Sequence, residues 1–357
     1  MTTASPLPPK PSRRRYILLM AAIALVIAGW SGAWMYGRSV LNGQIEAGVS
    51  DISRVGLDVD CRDLQIGGYP FRYEVRCASL SVQGASRNQV LVNGVQAVAL
   101  VYNPWHVILE GADGRFVETS AAGRAEVAWQ SLRSSVTYSS EDLGNLDIVV
   151  DQPEIRAESV AGLVRGIAEK AELHLRETPN RAGGLEVFLS LDGIEPEIRL
   201  AGFTAPPAAE PMEAFHARVH IRLQDGKSLF NGAALPVLVQ MNGGELPVGL
   251  VFSELTLGEG RLRANGDFLL AGDGTLSGNG AFFLKDAGEA LKAIKPFIPD
   301  TNNTYTTVET LLTSLKPNAE DEAGDPVVEL PFTIDQGVVR IGFVQLGRIP
   351  PLFLAGL

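Results

Sequence analysis

Few side chains in this sequence are of types that do chemistry, and their spacing argues against most of it. The four histidines are His106, His174, His216 and His220. His216 and His220 have the separation of a metal pair on one helical turn. They lie, however, in Phe215-His216-Ala217-Arg218-Val219-His220-Ile221-Arg222-Leu223, where apolar and polar residues alternate strictly. On a strand, residues four apart stand roughly 13 Å from each other, too far to share a metal. His106 follows Pro104-Trp105. As a general base of an envelope hydrolase it would need a nucleophile that no motif supplies, and a packed, hydrogen-bonded imidazole fits the same pattern. There is no Gly-x-Ser-x-Gly elbow and no Walker A loop. Gly272-Asp273-Gly274 sits between two strand-like runs and reads as a hairpin turn. Arg72, between Phe71 and Tyr73, suits either an anionic group or an ion pair on its own strand. The residues point to a chain that is not an enzyme and holds no cofactor or metal.

The two cysteines have a structural reading. Leu57, Val59 and Cys61 alternate with Asp58, Asp60 and Arg62; after Gly67-Gly68-Tyr69-Pro70, Phe71, Tyr73, Val75 and Cys77 alternate with Arg72, Glu74 and Arg76. This is a hairpin pattern. Its midpoint between the cysteines is Tyr69, so Cys61 and Cys77 are expected opposite each other on the apolar face. Cross-strand Cβ atoms lie ~4.5–5.5 Å apart, near what a disulfide needs. Closing such a loop contributes roughly 3 kcal/mol in the chain-entropy model. A redox pair would more often be spaced Cys-x-x-Cys.

What must position this hairpin is the stretch before it. Tyr16 to Tyr36 carries no charged side chain. Roughly 20 apolar residues in a helix cross the ~30 Å hydrocarbon core, where only a helix satisfies the backbone of a single segment. Arg13, Arg14 and Arg15 precede the run, and Tyr16, Trp30, Trp34 and Tyr36 lie towards its ends. Basic residues on one flank with interfacial aromatics predict a cytoplasmic N-terminus and a chain that continues outward. Two other readings of the run are a cleaved signal peptide, with Ser31-Gly32-Ala33 as the cleavage site, and a buried core helix. Val40, Leu41, Ile45, Val49 and Ile52 extend the helical spacing beyond the run.

Residues 1–15 contain Lys10 and the three arginines and no acid; of the net charge of −11, the remainder therefore carries −15. An acidic body excludes nucleic acid as a partner, because phosphates need basic surface, and it excludes electrostatic adhesion to anionic lipid. With 46% hydrophobic and 20% charged residues the body is folded. Its 38 glycines fit many short strands with tight turns. Strand-like runs recur at 89–102, 107–109, 124–129, 132–138, 146–150, 185–191, 197–200, 215–223, 261–270, 275–284, 327–334 and 338–346. Residues 158–175 read either as a helix from Glu158 to Glu172 or as two strands. Helices are expected at Asp286–Ile294 and Thr306–Leu315. The chain divides into a cytoplasmic tail (1–15), a transmembrane helix (16–37), a β-rich subdomain (38–203), a Pro-rich linker or loop (204–212) and a second β-rich subdomain (213–357). The expected fold is β-rich α+β: one membrane helix, then an elongated, curved antiparallel sheet with a few helices near the C-terminus.

Three stretches taken together carry a resemblance: Gly68-Tyr69-Pro70-Phe71-Arg72, Tyr102-Asn103-Pro104-Trp105-His106-Val107-Ile108, and Gly337-Val338-Val339-Arg340-Ile341-Gly342 with Leu346-Gly347-Arg348-Ile349-Pro350-Pro351-Leu352. This pattern resembles the uncharacterised bacterial domain-of-unknown-function family 2125, which implies one N-terminal anchor in a Gram-negative envelope and brings no catalytic residues. More loosely, the strand–Gly-Asp-Gly–strand–helices–strand order is similar to AsmA-type envelope proteins, which implies long antiparallel sheets in the periplasm and a link to phospholipid movement. The expected function is envelope maintenance or lipid handling on an apolar β-surface, with the inner membrane, phospholipid and envelope proteins as partners. The alternatives are a scaffold that binds a protein partner, and a periplasmic hydrolase.

Overall fold

The computed structural model describes residues 13–54, 56–84, 88–120, 123–138, 143–159, 162–179, 183–200, 214–229, 233–294, 306, 309–310, 314–321 and 323–353. The chain enters through one helix, α1 (Arg13–Arg54), whose apolar part is long enough to cross a membrane. Its residues Ser31, Trp34, Gly37, Leu41, Ile45 and Gly48, three or four apart, form the less exposed side. Val40 and Ile52, which the spacing also placed on this face, are exposed.

Nearly all the rest is one antiparallel sheet. β1 (Leu57–Arg62) and β2 (Gln65–Gly67) pair with β3 (Arg72–Gly84), and β3 pairs with β4 (Gln89–Leu100). The chain then makes a long-stranded meander in which each pass is interrupted near its middle. β5 (Asn103–Gly111) and β6 (Gly114–Ser120) form one pass. The next is β7 (Gly123–Trp129) with β8 (Ser131–Tyr138), followed by β9 (Leu143–Asp151) with β10 (Glu154–Ser159), and then by β11 (Gly162–Ile167) with β12 (Lys170–Glu177). β13 (Leu185–Leu200) spans both halves, pairing with β12 through Leu185–Asp192 and with β11 through Glu195–Leu200. The sheet continues through β14 (Phe215–Leu223), β15 (Glu245–Leu257), β16 (Gly260–Ala271), β17 (Leu276–Lys285), β19 (Pro326–Asp335), β20 (Val338–Ile341) and β21 (Val344–Arg348). A short β18 (Ala319–Glu320) pairs with β19.

The interruptions line up into a crease across the sheet. Register is unchanged through it: Gln96 faces Glu110 below and Val92 faces Gly114 above; Ser131 faces Asp151 and Ala128 faces Glu154. Backbone bonds also run through it, from Gln130 N to Asp151 O (3.1 Å), from Gln152 N to Glu169 O (2.9 Å) and from Glu169 N to Asp192 O (2.9 Å). The apolar set nevertheless changes parity there. β9 presents Leu146, Ile148 and Val150, whereas β10 presents Ile155 and Ala157. Single residues at the crease have left-handed backbones, namely Gly94 (φ 57°), Gln152 (φ 49°) and Gly193 (φ 63°). One such residue turns the pleat by one position, so the apolar side chains stay on one side of the sheet.

The core gathers at one end of the later strands. α2 (Leu235–Met241) carries Pro236 in its first turn, where the missing N–H and fixed φ are suited. Its Leu238 and Val239 pack on Leu185, Leu223, Leu246 and Leu270. A second cluster holds Phe268, Phe332 and Ile334. Phe332 stands opposite Gly280, and Phe268 opposite Gly278; the rings cover the space that the glycines leave.

Several sequence expectations change in detail. The described residues of 158–175 lie in the end of β10, in β11 and in the start of β12, apart from Ala168-Glu169 between the last two, and form no helix; 185–191 and 197–200 are parts of one strand. The expected strand 338–346 breaks at Gly342 (φ 57°) into β20 and β21. α3 (Ala287–Ile294) is present. The second expected helix, 306–315, lies largely outside the described residues, as do the tail 1–12 and the Pro-rich stretch 204–212.

Candidate functional site

The feature that ties the N-terminal helix to the body is an aromatic joint built from α1 and the tip between β2 and β3. The tip turns at Gly68 (φ 98°), where a side chain would collide with Arg72, and its Tyr69–Pro70 peptide is cis. The Trp30 indole N–H donates to the Pro70 carbonyl (2.8 Å), and the Trp34 indole N–H to the Arg72 carbonyl (3.0 Å). Ser31 Oγ and the Tyr69 hydroxyl share a hydrogen bond of 2.9 Å. Trp34, 6% exposed, stacks on Tyr73 at 5.7 Å and meets Tyr69 edge-on at 5.5 Å. Each indole thus has an apolar body in contact and a satisfied polar tip. Gly37 makes room for this, since a Cβ there would overlap the Tyr73 hydroxyl.

Just above the tip, Glu74 is 4% exposed and lies between Arg72 (3.2 Å) and Arg76. The two guanidinium groups compensate a buried carboxylate. Arg72, a candidate for anion binding, is therefore engaged within its own strand. Arg13, Arg14 and Arg15 are the exposed first residues of α1, and Tyr16 is exposed beside them.

Cys61 and Cys77 form a disulfide with Cα atoms 5.5 Å apart. The register differs from a hairpin centred on Tyr69: Cys61 faces Leu80, and Gln65 faces Arg76. Both β1 and β2 keep a register on β3 centred between Pro70 and Phe71, so the two cysteines stand three positions out of register.

The second feature is the face of the sheet that continues from Tyr73, Val75 and Cys77. Register places Ala97, Leu109, Ser134, Ile148, Leu173, Leu189 and Val219 on it in successive strands. Apolar rows lie above and below. Among the described residues, helical packing on the stretch from β5 to β13 is confined to the end of β12 and β13 at Leu175, Leu185 and Val187, where α2 lies. Leu189 is 38% exposed, and beyond the crease Ile155 is 46% and Val164 42% exposed. Apolar side chains flanked on all sides within a sheet retain such exposure only where nothing lies over them.

The opposite face is polar and paired. Across β9, β12, β13, β14 and β15 run Asp147, His174, Phe188, His220 and Phe252. The His174 Nδ1–H donates to Asp147 Oδ1 (2.6 Å), and His220 Nε2 lies 3.4 Å from Glu186 Oε2. Rings meet at 5.8 Å (His174–Phe188), 6.3 Å (Phe188–His220) and 5.8 Å (His220–Phe252), and Arg263 lies over Phe252 at 5.2 Å. A cavity of about 290 Å³ opens over His174, Arg176, Glu186, Phe188 and His220. Burial raises the Asp147 pKa, but hydrogen bonds from His174 and Arg176 outweigh it and hold the carboxyl below its ordinary range. Sequence reasoning passed over His174 because its partners come from neighbouring strands; the alternation Glu172-His174-Arg176 was the available signal.

The other histidines have separate local partners. His216 Nδ1 lies 3.1 Å from Asp192 Oδ1, and His106 Nε2 shares a 2.9 Å hydrogen bond with Ser135 Oγ. His216 and His220 are not brought together. Among the described residues no three of His, Cys, Asp and Glu converge as a metal site.

The family described as "Uncharacterized protein conserved in bacteria (DUF2125)" matches residues 34–350, and the chain belongs to it. No curated protein and no solved structure matches it. The matched region begins at Trp34, so it includes that residue, Gly37 and the tip 68–72, the main elements of the joint.

Proposed function

We propose that this member of the DUF2125 family is a non-catalytic, single-pass inner-membrane protein. Its N-terminus lies in the cytoplasm, its β body stands in the periplasm, and its apolar sheet face holds phospholipid acyl chains. The arginine triplet before the apolar run supports the orientation, and a disulfide fits an oxidising compartment. The observation that carries the lipid reading is the apolar face from β5 to β13, with Ile155 and Val164 exposed beyond the crease. An apolar surface of this extent on an otherwise acidic body calls for an apolar occupant.

The test uses a photoreactive phenylalanine analogue placed in the full-length chain in cells. Ile155 and Val164 lie roughly 40 Å along the strands from the sheet end that holds the joint, at ~3.3 Å per residue, beyond reach of the bilayer surface. Lipid adducts at 155 and 164, and none at Glu126 or Arg156 on the polar face, are expected. Adducts to protein alone, or none at all, would sink the lipid reading and leave an anchored scaffold.

A further inference from the structure

The joint between α1 and the β2–β3 tip has a consequence for where the bilayer lies, given the reading that α1 spans a membrane. The uncharged run Tyr16–Tyr36 is 21 residues long, or about 31 Å of helix at 1.5 Å per residue, matching the hydrocarbon core. Trp30 and Ser31 lie within it, six and five residues from its outer end. That is about 7.5–9 Å below the end of the run. Their hydrogen-bond partners are Pro70 and Tyr69. The tip of a hairpin from the folded body is thus held at a depth where α1 is already in lipid.

The tip suits that depth. From Ile66 to Phe71 it carries no charge. Tyr69 is 52% and Phe71 61% exposed, both pointing large aromatic surface away from the body. The neighbouring β4–β5 turn is bonded to it, the Val101 N–H donating to the Phe71 carbonyl (3.0 Å). That turn adds Tyr102, 73% exposed, and then Trp105, whose ring meets Tyr138 edge-on at 5.5 Å. The first charged groups above the tip are Arg72 and Arg76, both turned onto Glu74. Aromatic rings with polar edges accumulate at the lipid–water boundary.

We infer that the β2–β3 tip, with Tyr69 and Phe71, is a second membrane-inserting element, which enters the outer leaflet beside α1 while Tyr102 and Trp105 rest at its surface. The partner is the lipid bilayer itself. Shape and apolar character, not charge, make the contact. The body therefore stands on the membrane on the sheet end that holds these two turns.

The test is spin-label depth measurement on the full-length protein in phosphatidylcholine–phosphatidylglycerol vesicles, with the native disulfide intact. A third cysteine is introduced by Phe71→Cys, Tyr102→Cys, Leu25→Cys or Glu118→Cys and labelled. Leu25 reports the helix span; Glu118, exposed at the far end of β6, reports water. Collision with oxygen should dominate over a water-soluble nickel chelate at 25 and 71, be intermediate at 102, and reverse at 118. Lipid exposure at 25 with water exposure at 71 would overturn the inserted tip and leave the anchor intact. Water exposure at 25 would overturn the anchor and the tip together. The position 71 and 102 side chains are exposed, so labelling does not disturb packing. Chelate access that is equal at 102 and 118 would remove the second turn from the contact.

Discussion

Trp34 lies flat against Tyr73, with planes 18° from parallel, while its indole N–H is bonded to the carbonyl of the residue before that tyrosine. One side chain thus fixes both the distance and the rotation of the body relative to α1. Trp34→Ala removes a nearly buried indole and is expected to destabilise the body by about 3–5 kcal/mol. Gly37→Leu forces the Tyr73 ring aside and is expected to cost about 1–3 kcal/mol. Thermal unfolding of the solubilised full chain and the tryptophan emission maximum report both. An unchanged midpoint and emission in either variant would contradict the joint.

The glycines under the phenylalanine rings make a second case. A Cβ at Gly280 would run into the Asn265 carbonyl and the Phe332 ring. Gly280→Val is expected to cost roughly 3 kcal/mol or more through overpacking. Gly347, with open space around it, is the control: Gly347→Ala should move the denaturant midpoint little.

The disulfide closes a loop with a sequence separation of 16. Replacing both cysteines by serine should lower stability by about 3 kcal/mol. Reductant should shift the thermal midpoint of the native chain by the same amount and leave the serine variant unmoved. A reductant effect on the serine variant would show that the shift has another origin.

The polar face makes a pH prediction. Asp147 is held low as described. Asp151 is lowered chiefly by the Ser131 hydroxyl, with Arg133 adding, and Glu172 chiefly by Lys170, each against a smaller burial effect. Carboxyls with folded pKa values below the unfolded ones, which lie near 3.9–4.3, stabilise the fold fully above that range. The contribution is lost as pH falls through the folded values. Urea midpoints should hold between pH 5 and 7 and drop below about pH 4. In Asp147→Asn the midpoint at neutral pH falls and the acid limb is shallower. An acid limb identical to wild type would rule Asp147 out of the effect.

What was readable in the sequence is what period and punctuation encode. The 21-residue uncharged run, the alternation of Phe215–Leu223, and the turn at Gly272–Gly274 correspond to α1, β14 and the β16–β17 connection. The crease was not readable, because a parity change looks like the end of one strand and the start of another. Gln152-Pro153 and Ala168-Glu169 look like turns, yet the chain continues in the same direction with register kept. The cysteine register failed because a midpoint rule assumes a turn centred between the cysteines, whereas β1 and β2 pair with β3 about a centre between Pro70 and Phe71. α2 was missed because seven residues are too few for a period, and its packing partners Leu185 and Leu270 are far away in sequence. The joint was not legible: Trp30 and Trp34 stood out as membrane-interface aromatics, and nothing local shows that they bond to Pro70 and Arg72.

α1 runs without interruption to Arg54, and β1 starts at Leu57. From Trp34 to Arg54 the helix climbs about 30 Å at 1.5 Å per residue, after which β1 and β2 bring the chain back down to the tip. The connection between α1 and β1 is short. A flexible tether lets a domain sweep a volume that grows with its length; here the tether is a strut clamped at its base. With α1 spanning a membrane as proposed, the apolar face is confined to one height and one heading, and its proposed occupant arrives by diffusion in or just above the membrane plane. Inserting a Gly-Ser segment after Arg54 would lengthen the connection without releasing the body, whereas breaking the clamp at Trp34 would set it swinging.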